Sequence, residues 1–185
     1  GVPMDSEIAV KLIHSGCKIW GEIELAFQFE KGKILAITGT NGKTTTTTLL
    51  GKILKDHYDS VFVVGNIGNP YTEEALKTKE GSITVAEISS FQLETIEAFR
   101  PDVSAVLNLT PDHLNRHKTM EEYAKTKFQI AKNQTENEVC VLNYEDEYLK
   151  KIAKDIPAKI FWFSSEHELK EGIWLDGEKI MYCDG

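Results

Sequence analysis

The segment Gly39-Thr40-Asn41-Gly42-Lys43-Thr44-Thr45 combines residue types suited to gripping phosphate. Glycines between a buried strand and a helix let several backbone N–H groups converge on one point, beside the positive end of the helix dipole. Lys43 can then reach β- and γ-phosphate oxygens, and the Thr44 hydroxyl can serve as a magnesium ligand. The local context fits, with the apolar run Ile34–Ile37 before the loop and an amphipathic stretch after it. One position departs from the general phosphate-loop pattern: Ile37 stands where a glycine is expected, five residues before Gly42. The bland alternative is an ordinary strand-to-helix turn that happens to contain Gly-Lys-Thr. The five consecutive threonines Thr44–Thr48 weigh against it, because β-branched residues are a poor start for a helix and local rules are broken where function demands it.

Two polar clusters follow apolar runs that would end on the same rim of a parallel sheet, where ligands bind. Glu87 closes Ile83-Thr84-Val85-Ala86 and leads into Ser89-Ser90-Phe91-Gln92, and Asp112-His113 follows Val103–Leu109. A carboxylate beside a phosphate loop can help hold magnesium, and a neutral imidazole can hold a metal or orient a substrate. Taken singly, Glu87 could be a solvated strand-end acid and His113 a loop histidine. Lys127 is a third candidate. At helical spacing Met120, Tyr123, Ala124, Phe128 and Ala131 form an apolar stripe with Lys127 in its middle, while Lys125 and Lys132 fall on the polar side. A buried ammonium is costly unless paired or chemically changed; the plain alternative is a snorkelling side chain.

The elements that must position these residues alternate. The sequence predicts a helix over Ser6–His14, strands at 34–37, 61–64, 83–88, 103–109, 139–142 and 160–163, and helices after the loop and near 71–77, 120–132 and 148–156. In the helix after the loop, Leu49, Leu50, Ile53 and Leu54 share one side. Residues 21–27 carry no firm assignment. Thr119 and Glu122 have capping-box spacing. Near the end, Asp176-Gly177 between two apolar runs predicts a hairpin. The pattern is that of an α/β protein, with a mostly parallel sheet flanked by helices and a C-terminal β-hairpin.

Composition narrows the class. The 185 residues suffice for one domain with a core, and the net charge of −8 lacks the basic footprint of a nucleic-acid binder. Cys17, Cys140 and Cys183 are widely spaced, as free thiols in a reducing compartment would be, so a cytoplasmic location is expected. No apolar run approaches a membrane span. The chain opens at Gly1-Val2-Pro3 without Met and stops after a strand-like run, so a piece of a longer polypeptide is expected.

These segments together resemble the Mur ligase family. The resemblance is carried by Gly1-Val2-Pro3, Gly21–Leu25, Gly39–Thr45, Gly65-Asn66-Ile67-Gly68, Glu87–Glu94, Asn108–His113 and Tyr123–Lys127; it is dense to about Asn143 and then thins. Within the family, Ser89-Ser90-Phe91-Gln92-Leu93-Glu94 marks the branch that joins D-glutamate to UDP-N-acetylmuramoyl-L-alanine, and separates it from sister ligases and folylpolyglutamate synthases. The resemblance implies an ATP-dependent, amide-forming ligase acting through an acyl phosphate, monomeric, with a phosphate-loop NTPase-like central domain at residues 29–185 and an N-terminal remnant at 1–28. It also implies roles. Gly39–Thr45 would hold ATP, with Lys43, His113 and Lys127 catalytic and Asn66, Ser89 and His113 by the substrate. Thr44 and Glu87 would hold one Mg2+ and His113 a second, with Lys127 carbamylated. A further domain and a Gly-x-His-Asn segment of the family lie outside this sequence, so the fragment alone is expected to show little or no ligase activity.

Overall fold

The computed structural model describes residues 2, 4–111 and 119–184. Eight strands form one sheet: β1 (Lys33–Thr38), β2 (Val61–Gly65), β3 (Ile83–Glu87), β4 (Val103–Val106), β5 (Val139–Asn143), β6 (Lys159–Ser164), β7 (Gly172–Asp176) and β8 (Lys179–Cys183). Their order is β2-β3-β1-β4-β5-β6-β7-β8, parallel throughout except for the final pair. The α/β class and parallel sheet expected from the alternating pattern are therefore present. The chain leaves β1 toward β2 but leaves β4 toward β5, so the connections diverge and open a crevice at the carboxyl ends of these two central strands.

Helices α1 (Glu7–His14), α2 (Glu22–Phe27), α3 (Lys43–Lys55), α4 (Tyr71–Ala75), α5 (Ser90–Leu93), α6 (Met120–Phe128) and α7 (Glu147–Ile152) link or flank the strands. Ser6 caps α1 and Asp146 caps α7, each side chain accepting backbone N–H bonds from the first turn. Thr119 caps α6 by accepting from the Glu122 N–H at 3.2 Å. The stripe read along α6 is real, with Tyr123, Ala124, Phe128 and the following Ala131 buried.

Four sequence expectations shift. The unassigned stretch 21–27 contains helix α2, whose Ile23, Glu24 and Ala26 are all buried. Helix α3 does not pack through its leucine stripe: Leu49 and Ile53 are exposed, whereas Thr47 and Gly51 are buried. Gly51 is the reason, since a Cβ there would lie 2.4 Å from Val63 Cγ2; the helix rides close to β2 on its smallest residue. The fourth parallel strand ends at Val106, three residues early. The hairpin turns on Gly177-Glu178, with Asp176 paired to Lys179 as the last rung; Gly177 has φ +59°. Strand β8 closes the sheet as its edge and leaves Ile180 and Tyr182 exposed.

Three carboxylates, one of them fully buried, tie the N-terminal segment to this frame. Glu24, with no exposed surface, accepts the backbone N–H groups of Glu97, Ala98 and Phe99 at 2.8–3.0 Å and the Gln28 side-chain amide at 2.9 Å. Glu22 accepts the Tyr71 N–H at 2.7 Å, and Glu30 accepts the Tyr71 and Thr84 hydroxyls. Removing one such acceptor strands several amide donors in an apolar setting. Glu24→Ala is accordingly expected to lower stability by about 3 kcal/mol, read as a fall in the urea midpoint with unchanged slope. A midpoint within experimental error of the unsubstituted chain would show that the three amides find other partners.

Candidate functional site

The parallel register brings the carboxyl ends of β1, β3 and β4 together. Ile37 pairs with Glu87, Gly65 pairs with the same Glu87, and Thr38 pairs with Val106. Beyond Thr38 only Gly39-Thr40-Asn41-Gly42 separates strand from helix. Ile37 is thus a buried strand residue, 2% exposed, and the position where the general pattern has a glycine lies inside β1. Gly42 precedes the helix at φ +81°, a left-handed conformation that favours glycine. Gly39 faces Leu107, whose Cβ would stand 3.0 Å from an added Cβ.

The loop is braced by the segment after β4. Leu107 N–H donates to the Thr38 carbonyl and Thr40 N–H to the Asn108 carbonyl, both at 3.0 Å. The Asn108 side chain accepts from Asn41 N–H at 2.8 Å and returns a bond to the Asn41 carbonyl at 3.1 Å. Thr40 Oγ1 accepts from Thr110 N–H at 3.1 Å and pairs with the Tyr123 hydroxyl at 3.2 Å. Asp146 fastens the brace from below by accepting the Leu109 N–H at 2.6 Å. Asn108, Thr110, Tyr123 and Asp146 were not singled out by sequence reasoning as positioning residues; their partners are tens of residues away and have no local spacing signature.

Two predicted residues, Thr44 and Asn66, meet a third, Glu87, which is 1% exposed. Thr44 Oγ1 donates to Glu87 Oε2 at 2.9 Å, and Asn66 Nδ2 donates to Glu87 Oε1 at 2.8 Å. The Asn66 N–H also donates to the Glu87 carbonyl at 2.8 Å. A hydroxyl and a carboxylate oxygen in contact form a hard-oxygen pair of the kind magnesium takes together with phosphate and water. Among the described residues no group of three or more His, Cys, Asp or Glu is arranged to hold a metal.

The two lysines converge from different elements. Lys43, at the start of α3, donates to the carbonyls of Gly39 at 3.0 Å and Thr40 at 2.8 Å. Lys127, from α6, donates to the same Gly39 carbonyl at 2.8 Å and lies 4.8 Å from the Tyr123 ring centroid. At 2% exposure Lys127 does not snorkel; its ammonium is taken into the site. Both lysines, with Asn66, Ser89, Phe91 and Tyr123, line a cleft of about 180 Å3. Ser89 also caps α5: its hydroxyl accepts from Gln92 N–H while Gln92 Oε1 accepts from Ser89 N–H. Asn66, Ser89 and Phe91 are shared with a neighbouring cleft of about 450 Å3 that extends to Trp20, Glu22 and Gln92. A more voluminous apolar groove, about 700 Å3 between α6 and α7, shares no residue with either and holds none of these groups. Asp112 and His113 lie outside the described residues.

Residues 37–180 match the family description "Mur ligase middle domain". Over its whole length the chain is 60% identical to a UDP-N-acetylmuramoylalanine–D-glutamate ligase of Lachnospira eligens, and likewise 60% identical to one of Lachnoclostridium phytofermentans. It covers 41% and 40% of those proteins, so it spans about two-fifths of the length of the curated relatives it matches. Among solved structures, MurF ligase from Thermotoga maritima in complex with ADP aligns with 86% of this chain and 40% of its own, at TM-score 0.64 and 28% identity. E. coli FolC in complex with DHPP and ADP aligns with 98% of this chain and 58% of its own at TM-score 0.57 and 12% identity, a likeness of fold alone.

Gly65 offers a test of how tightly the rim is built. Its φ is +99°, and a Cβ there would fall 2.3 Å from the Glu87 carbonyl oxygen. Gly65→Ala is expected to cost about 2–3 kcal/mol of stability, combining left-handed strain with displacement of β3. Thermal denaturation reads this directly, and an unchanged midpoint would mean that β2 and β3 separate freely at this rung.

Proposed function

The chain belongs to the Mur ligase family, and on that premise we propose that it is the nucleotide-binding part of an ADP-forming ligase joining D-glutamate to UDP-N-acetylmuramoyl-L-alanine in peptidoglycan precursor synthesis. The observation that carries this reading is a cleft lined by Lys43 of the phosphate loop and the buried Lys127, with Glu87 bonded to Thr44 and to the cleft residue Asn66, next to a second cleft that shares Asn66 and Ser89. The 60% identical relatives support the choice of D-glutamate as the added amino acid. Residues 29–185 are proposed as the ATP-binding domain and 1–28 as the remnant that leads into it.

In the proposed reaction an oxygen of the alanyl carboxylate attacks the γ-phosphorus of ATP, and ADP departs with the bridging oxygen and its electron pair. The D-glutamate amine then attacks the acyl carbon, loses a proton, and phosphate leaves with the C–O bonding pair. Lys43 and the amides of Gly39–Thr45 would hold the transferring phosphates, where fixed positive charge acts chiefly by positioning and electrostatic stabilisation. Asn66 and Ser89 would face the muramoyl substrate in the larger cleft, and His113 would act at the reacting end. Thr44 with Glu87, and His113 with a carbamylated Lys127, would hold two magnesium ions, which neutralise charge on phosphate oxygens. A free ammonium has three donors and no acceptor, so carbamylation is what gives Lys127 oxygens to offer. The protein is read as a cytoplasmic monomer; no helix among the described residues is long and apolar enough to cross a membrane.

The reading is tested on the full-length protein by phosphate release from ATP. Turnover is expected only when UDP-N-acetylmuramoyl-L-alanine and D-glutamate are both present; turnover with another amino acid, or with a folate, would move the chain to a sister branch. Lys43→Ala is expected to reduce kcat at least about 100-fold. Lys127→Ala should abolish turnover, and near-normal activity of that variant without bicarbonate would exclude the carbamate role. The 185-residue chain alone is expected to bind nucleotide but release little phosphate.

A further inference from the structure

Two clefts on this rim meet along three residues. Asn66, Ser89 and Phe91 line both the cleft of about 180 Å3 that holds Lys43 and Lys127 and the cleft of about 450 Å3 that runs to Trp20, Glu22 and Gln92. Each stretch that carries them is fixed from behind. Asn66 is pinned to Glu87 twice, its N–H donating to the carbonyl and its Nδ2 to Oε1, both at 2.8 Å. Ser89 is held in the capping box of α5, where Gln92 Oε1 accepts from its N–H and from its hydroxyl at 3.0 Å. Ser90 and Leu93, three apart on that single turn, are buried at 3% and 1% and anchor it to the core. Positions three apart share a helix face, so Phe91, between them, is carried half-buried on another face, toward the clefts. Of the three shared residues only Phe91 is apolar, and it is the bulkiest.

We propose that Phe91 is a specificity-determining residue for the acyl donor: its ring narrows the junction of the two clefts, so that the residue bearing the reacting carboxylate passes when its side chain is as small as a methyl group. The inference rests on the ligase reading, in which the muramoyl part of the donor lies in the larger cleft and its carboxylate meets the γ-phosphate in the smaller one. The alanyl residue then crosses the junction, and its side chain lies against Phe91. A methyl group offers no polar atom, so hydrogen bonds from Asn66 and Ser89 do not tell it from a longer alkyl chain; a steric limit does. Such a limit discriminates only if the wall does not yield. A ring carried on a capped turn with two buried anchors gives way to extra methylenes only by straining its own packing. Asn66, tied to the Glu87 strand end, closes the other side of the same passage.

Donors that differ only in the residue carrying the carboxylate test this on the full-length protein, with ATP, Mg2+ and D-glutamate. The unsubstituted protein is expected to use UDP-N-acetylmuramoyl-L-leucine with a kcat/KM at least about tenfold below that for UDP-N-acetylmuramoyl-L-alanine. Phe91→Ala should raise the leucyl-to-alanyl ratio of kcat/KM about tenfold or more, and Phe91→Leu at least about threefold, while Phe91→Tyr keeps it within about threefold. A purely structural role for Phe91 would lower both donors together and leave the ratio where it was. An unchanged ratio in the alanine and leucine variants, both shown folded by thermal denaturation, therefore overturns the proposal. If the alanine variant does not fold, the leucine variant decides alone. Equal use of the two donors by the unsubstituted protein overturns it as well. Absence of any D-glutamate-dependent turnover of the alanyl donor is a different failure: it removes the ligase reading, and this inference with it.

Discussion

Parallel pairing of β1 with β3 on one side and β4 on the other is the constraint on which the site depends. It sets Glu87 level with Ile37 and Val106 level with Thr38, so that a four-residue loop beyond Thr38 can reach helix α3 without a longer glycine-rich arc. Hydrogen bonds alone could not fix this height; the buried faces of Ile34, Ala36, Val85, Ala86 and Val106 do. A slip of one residue would exchange those side chains between the two covered faces of the sheet and spoil the packing on both. The short loop is therefore a product of the sheet register, and Ile37 is apolar because at that point the chain is still strand.

Around this frame the protein uses carboxylates in two ways. Glu24, Glu30 and Asp146 are consumed by backbone and hydroxyl donors, and they hold segments in place. Glu87 is satisfied by two side chains, Thr44 and Asn66, which ligands can displace without unfolding anything. The same contrast separates the lysines: Lys132, in the turn after α6, donates to the Ile96 carbonyl, while Lys43 and Lys127 donate to a carbonyl of the loop itself. Groups bonded to exchangeable side chains or to the phosphate loop remain open to chemistry; groups bonded to the frame do not.

Much of this was legible in the sequence, and the exceptions share a cause. The alternation of apolar runs gave the parallel sheet, and helical spacing alone put Lys127 in the apolar stripe of α6, where it is found buried. Local patterns failed where a distant partner decides. The leucine stripe of α3 has the right period, but Gly51 lets Val63 approach and the helix rotates its small residues inward. Helix α2 is six residues long and owes its burial to the Glu24 bonds with residues 97–99. Strand β4 stops early because Leu107 and Asn108 leave the ladder to brace the phosphate loop. Asn108 and Asp146 carry no spacing signal, so only the folded chain reveals their work.

The hairpin at the far edge of the sheet has a different kind of consequence. Among the described residues β8 has a neighbouring strand on one side only, with Ile180 and Tyr182 uncovered beside it. Lys179 and Asp184 flank the strand with charge and the Gly177-Glu178 turn precedes it, a thin defence against strand addition. In concentrated solution this edge is where copies of this 185-residue chain would meet, and colloidal behaviour would be governed there, four strands beyond β4 and the chemistry.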